Sequence, residues 1–217
     1  MSTSPSQDNE PLSALTHLLG IGLSIAALVL MVVFAGIHDS PKRVVGASIF
    51  GSSLILLYGA STTFHFLGKG HPFKYLFQRL DHAMIFVLIA GTYTPIMLTL
   101  PSPGWGWSLF GVNWALAILG VGLKLSGKTN HRAFSTVLSL VMGWLAVLAW
   151  PYLHDSLGNN GLFWLLLGGV LYTVGVVFYA LDTHVKRTRW FGMHEVFHLF
   201  VLAGSFSHFW LVLRFLT

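Results

Sequence analysis

The chain of 217 residues is 54% hydrophobic and only 9% charged, with a mean hydropathy of +0.72. A water-facing domain carries roughly 25% charged residues, so seven acids and twelve bases cannot cover a soluble globule of this length. Composition therefore excludes a soluble domain and indicates an all-α integral membrane protein, in which a net charge of +5 is not a nucleic-acid footprint.

The chain has no cysteine, which excludes disulfides and thiolate metal sites. Its start, Met1 to Pro11, is polar and carries Asp8 and Glu10. It has no basic n-region, so no cleaved signal peptide is expected.

Seven apolar segments follow, each long enough to cross about 30 Å of hydrocarbon at about 1.5 Å per residue. They are predicted near 12–37, 44–67, 76–100, 105–125, 133–152, 162–181 and 190–215. The connections are short and polar, with His154 to Asn160 joining the fifth segment to the sixth. None can hold a second domain, so residues 1–217 are read as one seven-helix membrane domain.

Lysine and arginine set the orientation. Nine of them (Lys69, Lys74, Arg79, Lys124, Lys128, Arg132, Lys186, Arg187 and Arg189) fall at one end of the predicted bundle. Lys42, Arg43 and Arg214 fall at the other. The N-terminus is thus expected in the cytoplasm and the C-terminus outside. Trp105 and Trp107 would sit at the outer interface and Trp190 at the inner one. Gly22 with Ala26, and Gly111 with Ala115, offer small faces for close helix packing. Pro95 is expected to kink the third segment, and Pro151 to terminate the fifth.

Ionisable residues inside a membrane are costly and mark functional candidates. His65 lies four residues from Lys69, and His194 five from Arg189, so both sit roughly 6–8 Å inside the cytoplasmic end. Asp81 opens the third segment at similar depth, and His198 follows His194 by one helical turn on the same face. Three imidazoles with an open fourth position suit a catalytic-type zinc site. A carboxylate there can be a fourth ligand, an outer partner or a proton acceptor.

Ser61, one turn before His65, is placed to hydrogen-bond a bound water or a substrate carbonyl. Singly, each residue also has a plainer reading: His65 as an interfacial polar residue, Asp81 as a partner of Arg79, the histidine pair as helix glue. Asp182 is a loop residue or a ligand in place of Asp81. His17 is an outer partner or an interfacial residue. His208 lies ~21 Å further along the last segment than His194, too far for the same metal, and is expected to line a cavity.

His194-Glu195-Val196-Phe197-His198 also satisfies H-E-x-x-H, in which the glutamate of a metalloprotease acts as general base. The rest of such a protease's pattern is missing, since Asp81 is followed by His82 rather than by a glycine.

The wider pattern resembles the hemolysin III family, the bacterial branch of the progestin and adipoQ receptor family. The resemblance rests on Ser61-x-x-x-His65, on Asp81-His82 running into Ala90-Gly-Thr-Tyr-Thr-Pro95, and on His194-x-x-x-His198 followed by Leu-Phe-Val-Leu-Ala-Gly and His208. It extends from Glu10 and Thr16-His17 through Tyr58-Gly59 and Trp150-Pro151 to the end of the chain. It implies a seven-helix protein of the bacterial inner membrane with zinc near the cytoplasmic face. The ligands would be His65, His194 and His198, with Asp81 acting through a water and Glu195 outside the set.

Kinship with membrane hydrolases such as alkaline ceramidases implies a zinc-dependent hydrolase of lipid amide or ester bonds, with membrane lipids as substrate and Asp81 and Ser61 as catalytic groups. The competing expectations are a receptor or regulator with structural zinc, a cytolytic pore and, further off, an intramembrane protease. A pore needs a polar stripe across the bilayer, and the outer halves of the segments are nearly all apolar.

Overall fold

Prolines open three of the long helices. A proline at the first helical position forgoes an N–H that would be unpaired there in any case, and its fixed φ suits the helix. Pro11, Pro41 and Pro103 take that position, so helices run a few residues earlier than hydrophobicity alone indicates.

The computed structural model describes residues 10–38, 40–127, 132–185 and 191–217. These form α1 (Pro11–Ile37), α2 (Pro41–Phe66), α3 (Lys74–Thr99), α4 (Pro103–Leu125), α5 (Arg132–Trp144), α6 (Trp150–Leu181) and α7 (Met193–Leu211). A 3₁₀ segment, Leu145–Ala149, joins α5 to α6, and a π-helical turn, Val212–Leu216, extends α7. Among the described residues there is no strand. Asp8, Lys128, Lys186, Arg187, Arg189 and Trp190, used above for the polar start, orientation and belts, lie outside the described residues.

Six helical stretches are long and apolar enough to cross a membrane, and one of them is the 50-residue run Arg132–Leu181. Straight, that run would measure ~75 Å. It doubles back instead. Arg132 donates to the Tyr179 carbonyl, and the Trp144 indole N–H donates to Thr173 Oγ1 at 3.1 Å. Both pairs centre near Gly158, whose φ of 58° and ψ of −176° break the helix. Only glycine takes that conformation readily. The polar loop expected at His154–Asn160 is therefore a helical reversal about one residue. Pro151 does not simply end the fifth segment: the chain tightens to 3₁₀ before it and restarts as α6 with the proline in the first turn.

α1 packs on α2, α2 on α3, α3 on α4 and α6 on α7, and α1 also meets α7. Polarity is inverted relative to a soluble bundle. Leu19, Ile37 and Ile118 are 62%, 71% and 69% exposed, whereas Ser61, His65, Asn113, Glu195 and His198 are buried. That is the surface of a chain solvated by lipid, with its polar groups turned inward.

The expected small faces point the wrong way. Gly22 and Gly111 meet nothing, and Ala26 and Ala115 are exposed. Spacing places two small residues on one face, but only the rest of the helix decides whether that face turns inward. Close approach occurs elsewhere: a Cβ on Gly46 would meet the Pro95 backbone of α3 at 2.6 Å. Pro95 lies within α3, which stays helical through it.

Candidate metal centre

Near the end of the bundle where α2 stops and α7 starts, three imidazoles converge. His65 belongs to the last turn of α2, and His194 and His198 to the first turns of α7. One ligand atom from each lies within 4.8 Å of the others. The Nε2 atoms of His65 and His194 are 3.4 Å apart. Two nitrogens on one tetrahedral zinc, each about 2.0–2.1 Å from the metal, stand about 3.3 Å apart. The three imidazoles therefore fit zinc in type, and the His65–His194 pair fits it in spacing.

Two rings are held from behind by α1. Glu10 Oε2 lies 2.6 Å from His65 Nδ1, and the Glu10 N–H donates to the His65 carbonyl at 3.3 Å. With Nδ1–H given to the carboxylate, Nε2 of His65 presents its lone pair to the cluster. Thr16 Oγ1 lies 3.3 Å from His198 Nδ1 and donates to the Ser13 carbonyl. His17 stacks on His198 with ring centroids 3.6 Å apart and planes 11° apart, and packs edge-on against Tyr58. Both His17 nitrogens are buried and unpaired. His17 is thus a neighbour of the histidine cluster.

The start of α7 is fixed separately. Glu195 Oε2 accepts the Gly192 N–H at 2.7 Å, and Oε1 accepts the Ser13 hydroxyl at 2.8 Å. Asp182 Oδ1 accepts the His194 N–H at 3.1 Å. These are the partners that orphan donors of a first helical turn require. Asp182 is a helix-start partner and lies outside the three-residue ligand cluster, and so does Asp81. Asp81 and Ser61 are both buried.

The supporting roles of Glu10 and Ser13 were not foreseen. A carboxylate directly before Pro11 and a hydroxyl one turn later were the signals.

Two cavities meet beside the cluster. A polar one of ≈ 520 Å³ is lined by His65, His194, Glu10 and Asp182 together with cationic side chains. An apolar one of ≈ 170 Å³ runs between α3, α5, α6 and α7, past Ile85, Phe86, Leu140 and Val201. His82, Lys124 and Tyr179 line both. His208 lines the apolar cavity, as expected, and fits there because Gly168 has no Cβ to strike its ring.

Fold and site together define a multi-pass membrane protein with a three-histidine cluster able to hold a metal. A model of the family described as haemolysin-III related matches residues 6–209. The chain is 39% identical over 203 residues to Hemolysin-3 of Bacillus cereus, covering 93% of this chain and 89% of that one. It is 39% identical over 201 residues to the Hemolysin-3 homolog of Bacillus subtilis (strain 168), covering 93% and 91%. More distantly, it is 26% identical over 201 residues to the human monocyte to macrophage differentiation factor, covering 89% and 80%. The chain belongs to the haemolysin III family, within the progestin and adipoQ receptor family.

Proposed function

We propose that this protein is a zinc-dependent hydrolase of lipid amide or ester bonds, crossing a bacterial inner membrane seven times with its N-terminus in the cytoplasm. One observation carries the reading: an apolar cavity in the bundle shares His82, Lys124 and Tyr179 as walls with the polar pocket lined by His65 and His194. A lipid entering from the inner leaflet can lay its chain in the first cavity and bring its acyl bond to the second. The reversal at Gly158 divides Arg132–Leu181 into two helical stretches, which supports reading that run as two of seven crossings.

His65, His194 and His198 would hold the metal through their free nitrogens. Bound zinc lowers the pKa of water and polarises a carbonyl. The Asp81 carboxylate is assigned to orient the attacking water and accept its proton. The Ser61 hydroxyl, one turn from His65, is assigned to donate to the oxygen that gains negative charge. Glu195 has both oxygens engaged by Ser13 and Gly192, which leaves it unsuited to serve as a protease's base. The apolar lining of the inner cavity counts against an aqueous pore.

Purified full-length protein, incubated with defined amide and ester lipids, tests the assignment. Release of a fatty acid by the wild type, lost in Asp81→Asn with zinc retained, is the expected result. Equal lipid profiles for the two proteins would leave a non-catalytic zinc protein.

A further inference from the structure

The polar cavity beside the histidines is lined by three cationic side chains and two carboxylates. Arg79, Lys124 and Arg132 line it from three different elements. No salt bridge joins any of them to a described carboxylate. The two acids lining the same cavity are already engaged, Glu10 with His65 and Asp182 with the His194 N–H. Lys74, on the first turn of α3, is occupied too, donating to the Phe64 and Leu67 carbonyls at 2.7 and 2.9 Å.

The Lys124 carbonyl accepts the Gly127 N–H at 3.2 Å, but its ammonium makes no hydrogen bond or ion pair with any described residue. The Arg132 guanidinium lies over the Tyr179 ring with its carbon 3.6 Å from the ring centre, and its Nε is buried without a partner. Excess positive charge at the inner interface is ordinary in membrane proteins and needs no ligand. What exceeds that is position. Lys124 borders the apolar cavity as well as the polar one, so an unpaired ammonium stands where an acyl chain would enter. A half-buried cation in low dielectric gains most from an anion that brings charge-assisted hydrogen bonds.

We propose that this polar cavity binds the phosphate of an anionic phospholipid, held by Lys124, Arg132 and Arg79, with an acyl chain in the adjoining apolar cavity. The inference deepens the hydrolase reading and rests on it for the fate of the bound lipid. It makes the substrate an anionic glycerophospholipid rather than a neutral lipid amide.

Binding can be read without turnover. Full-length protein in neutral detergent would be titrated with dioctanoyl phosphatidylglycerol, dioctanoylglycerol, glycerol 3-phosphate and inorganic phosphate, with retention followed by native mass spectrometry and zinc content measured in each sample. Phosphatidylglycerol should bind about tenfold or more tighter than the headless dioctanoylglycerol, the size expected for one hydrogen bond to a charged group. Lys124→Gln should remove most of that preference, Arg132→Lys should keep part of it, and Lys42→Gln at the other end should keep all of it. The Lys124 ammonium has no described partner to lose, so its substitution stays informative even if Arg132 variants fail to fold. Equal binding of the two lipids, or a preference untouched by Lys124→Gln, would overturn the proposal. Free phosphates competing as well as the lipid would overturn its lipid half. A preference that survives without zinc or hydrolysis keeps the anion site and removes the hydrolase. Hydrolysis of neutral lipids without the preference does the reverse.

Discussion

Glu10 and Glu195 show how differently two carboxylates can serve one cluster. Glu10 orients His65 through Nδ1, whereas Glu195 ties the start of α7 to Ser13 of α1. Removing an outer partner of a metal-bound histidine typically costs about 10–100-fold in metal affinity. Glu10→Gln should therefore weaken zinc binding by about that factor, measured by competition with a chelator of known affinity. Ser13→Ala should instead leave zinc affinity unchanged and destabilise the protein by about 1–3 kcal/mol, because a buried carboxylate oxygen loses a donor. Reversal of that pattern, with Ser13→Ala releasing metal and Glu10→Gln inert, would show that the two roles have been exchanged. The convergence of the three histidines was legible in the sequence because helical spacing and depth below the nearest basic residue fix where an imidazole lies. Glu10 was not legible as a support: it precedes α1 and meets a residue 55 positions away, so no periodicity connects the two.

At the level of elements, packing depends on which face of each helix carries the small residues. Gly168 of α6 faces the His208 ring, and the Tyr58 and Tyr172 hydroxyls both meet Ser205 Oγ, at 2.7 and 2.9 Å, linking α2 and α6 to α7. A methyl group at position 168 must displace His208. Gly168→Ala should cost about 1–3 kcal/mol, as overpacking does, whereas Gly22→Ala should be near neutral, since its added Cβ meets nothing. Thermal unfolding in detergent separates the two, and equal losses would place both glycines at helix contacts. The lengths of α1 to α4 and α7 could be read from hydrophobicity, with proline adjusting the starts. The α5–α6 connection could not. His154-Asp155-Ser156 looks like a loop by composition, yet it is helical up to Gly158, where a single positive φ makes the turn.

For the molecule as a whole, orientation and metal dependence are the properties to test. The chain contains no cysteine, so any introduced thiol is the sole labelling site. Lys42→Cys should react with a membrane-impermeant maleimide on intact cells, and Lys69→Cys only after permeabilisation. The opposite order would invert the assigned topology. Zinc should also stabilise the fold, because a ligand that binds the folded state alone at 100 times its dissociation constant contributes about 2.7 kcal/mol. A strong chelator should lower the unfolding temperature of the wild type and leave that of His194→Ala unchanged. Membrane class and family motifs could be read in the sequence because both depend on composition or on spacing within single helices. The meeting of two cavities beside the cluster could not, since its lining is drawn from several helices that only tertiary packing brings together.

The histidine cluster joins the second helix to the last, and α1 braces both. His65 and His194 are 129 residues apart. At about 5–20 residues per second, a ribosome needs roughly 6–26 s to travel between them. During that interval Glu10 and His65 can already pair, while α7 has yet to be made. The cluster therefore cannot be complete until α7 has been made. A chain interrupted between α6 and α7 would carry six of the seven helices and still lack two of the three histidines. Any metal held by all three histidines would therefore mark a chain whose synthesis had reached α7.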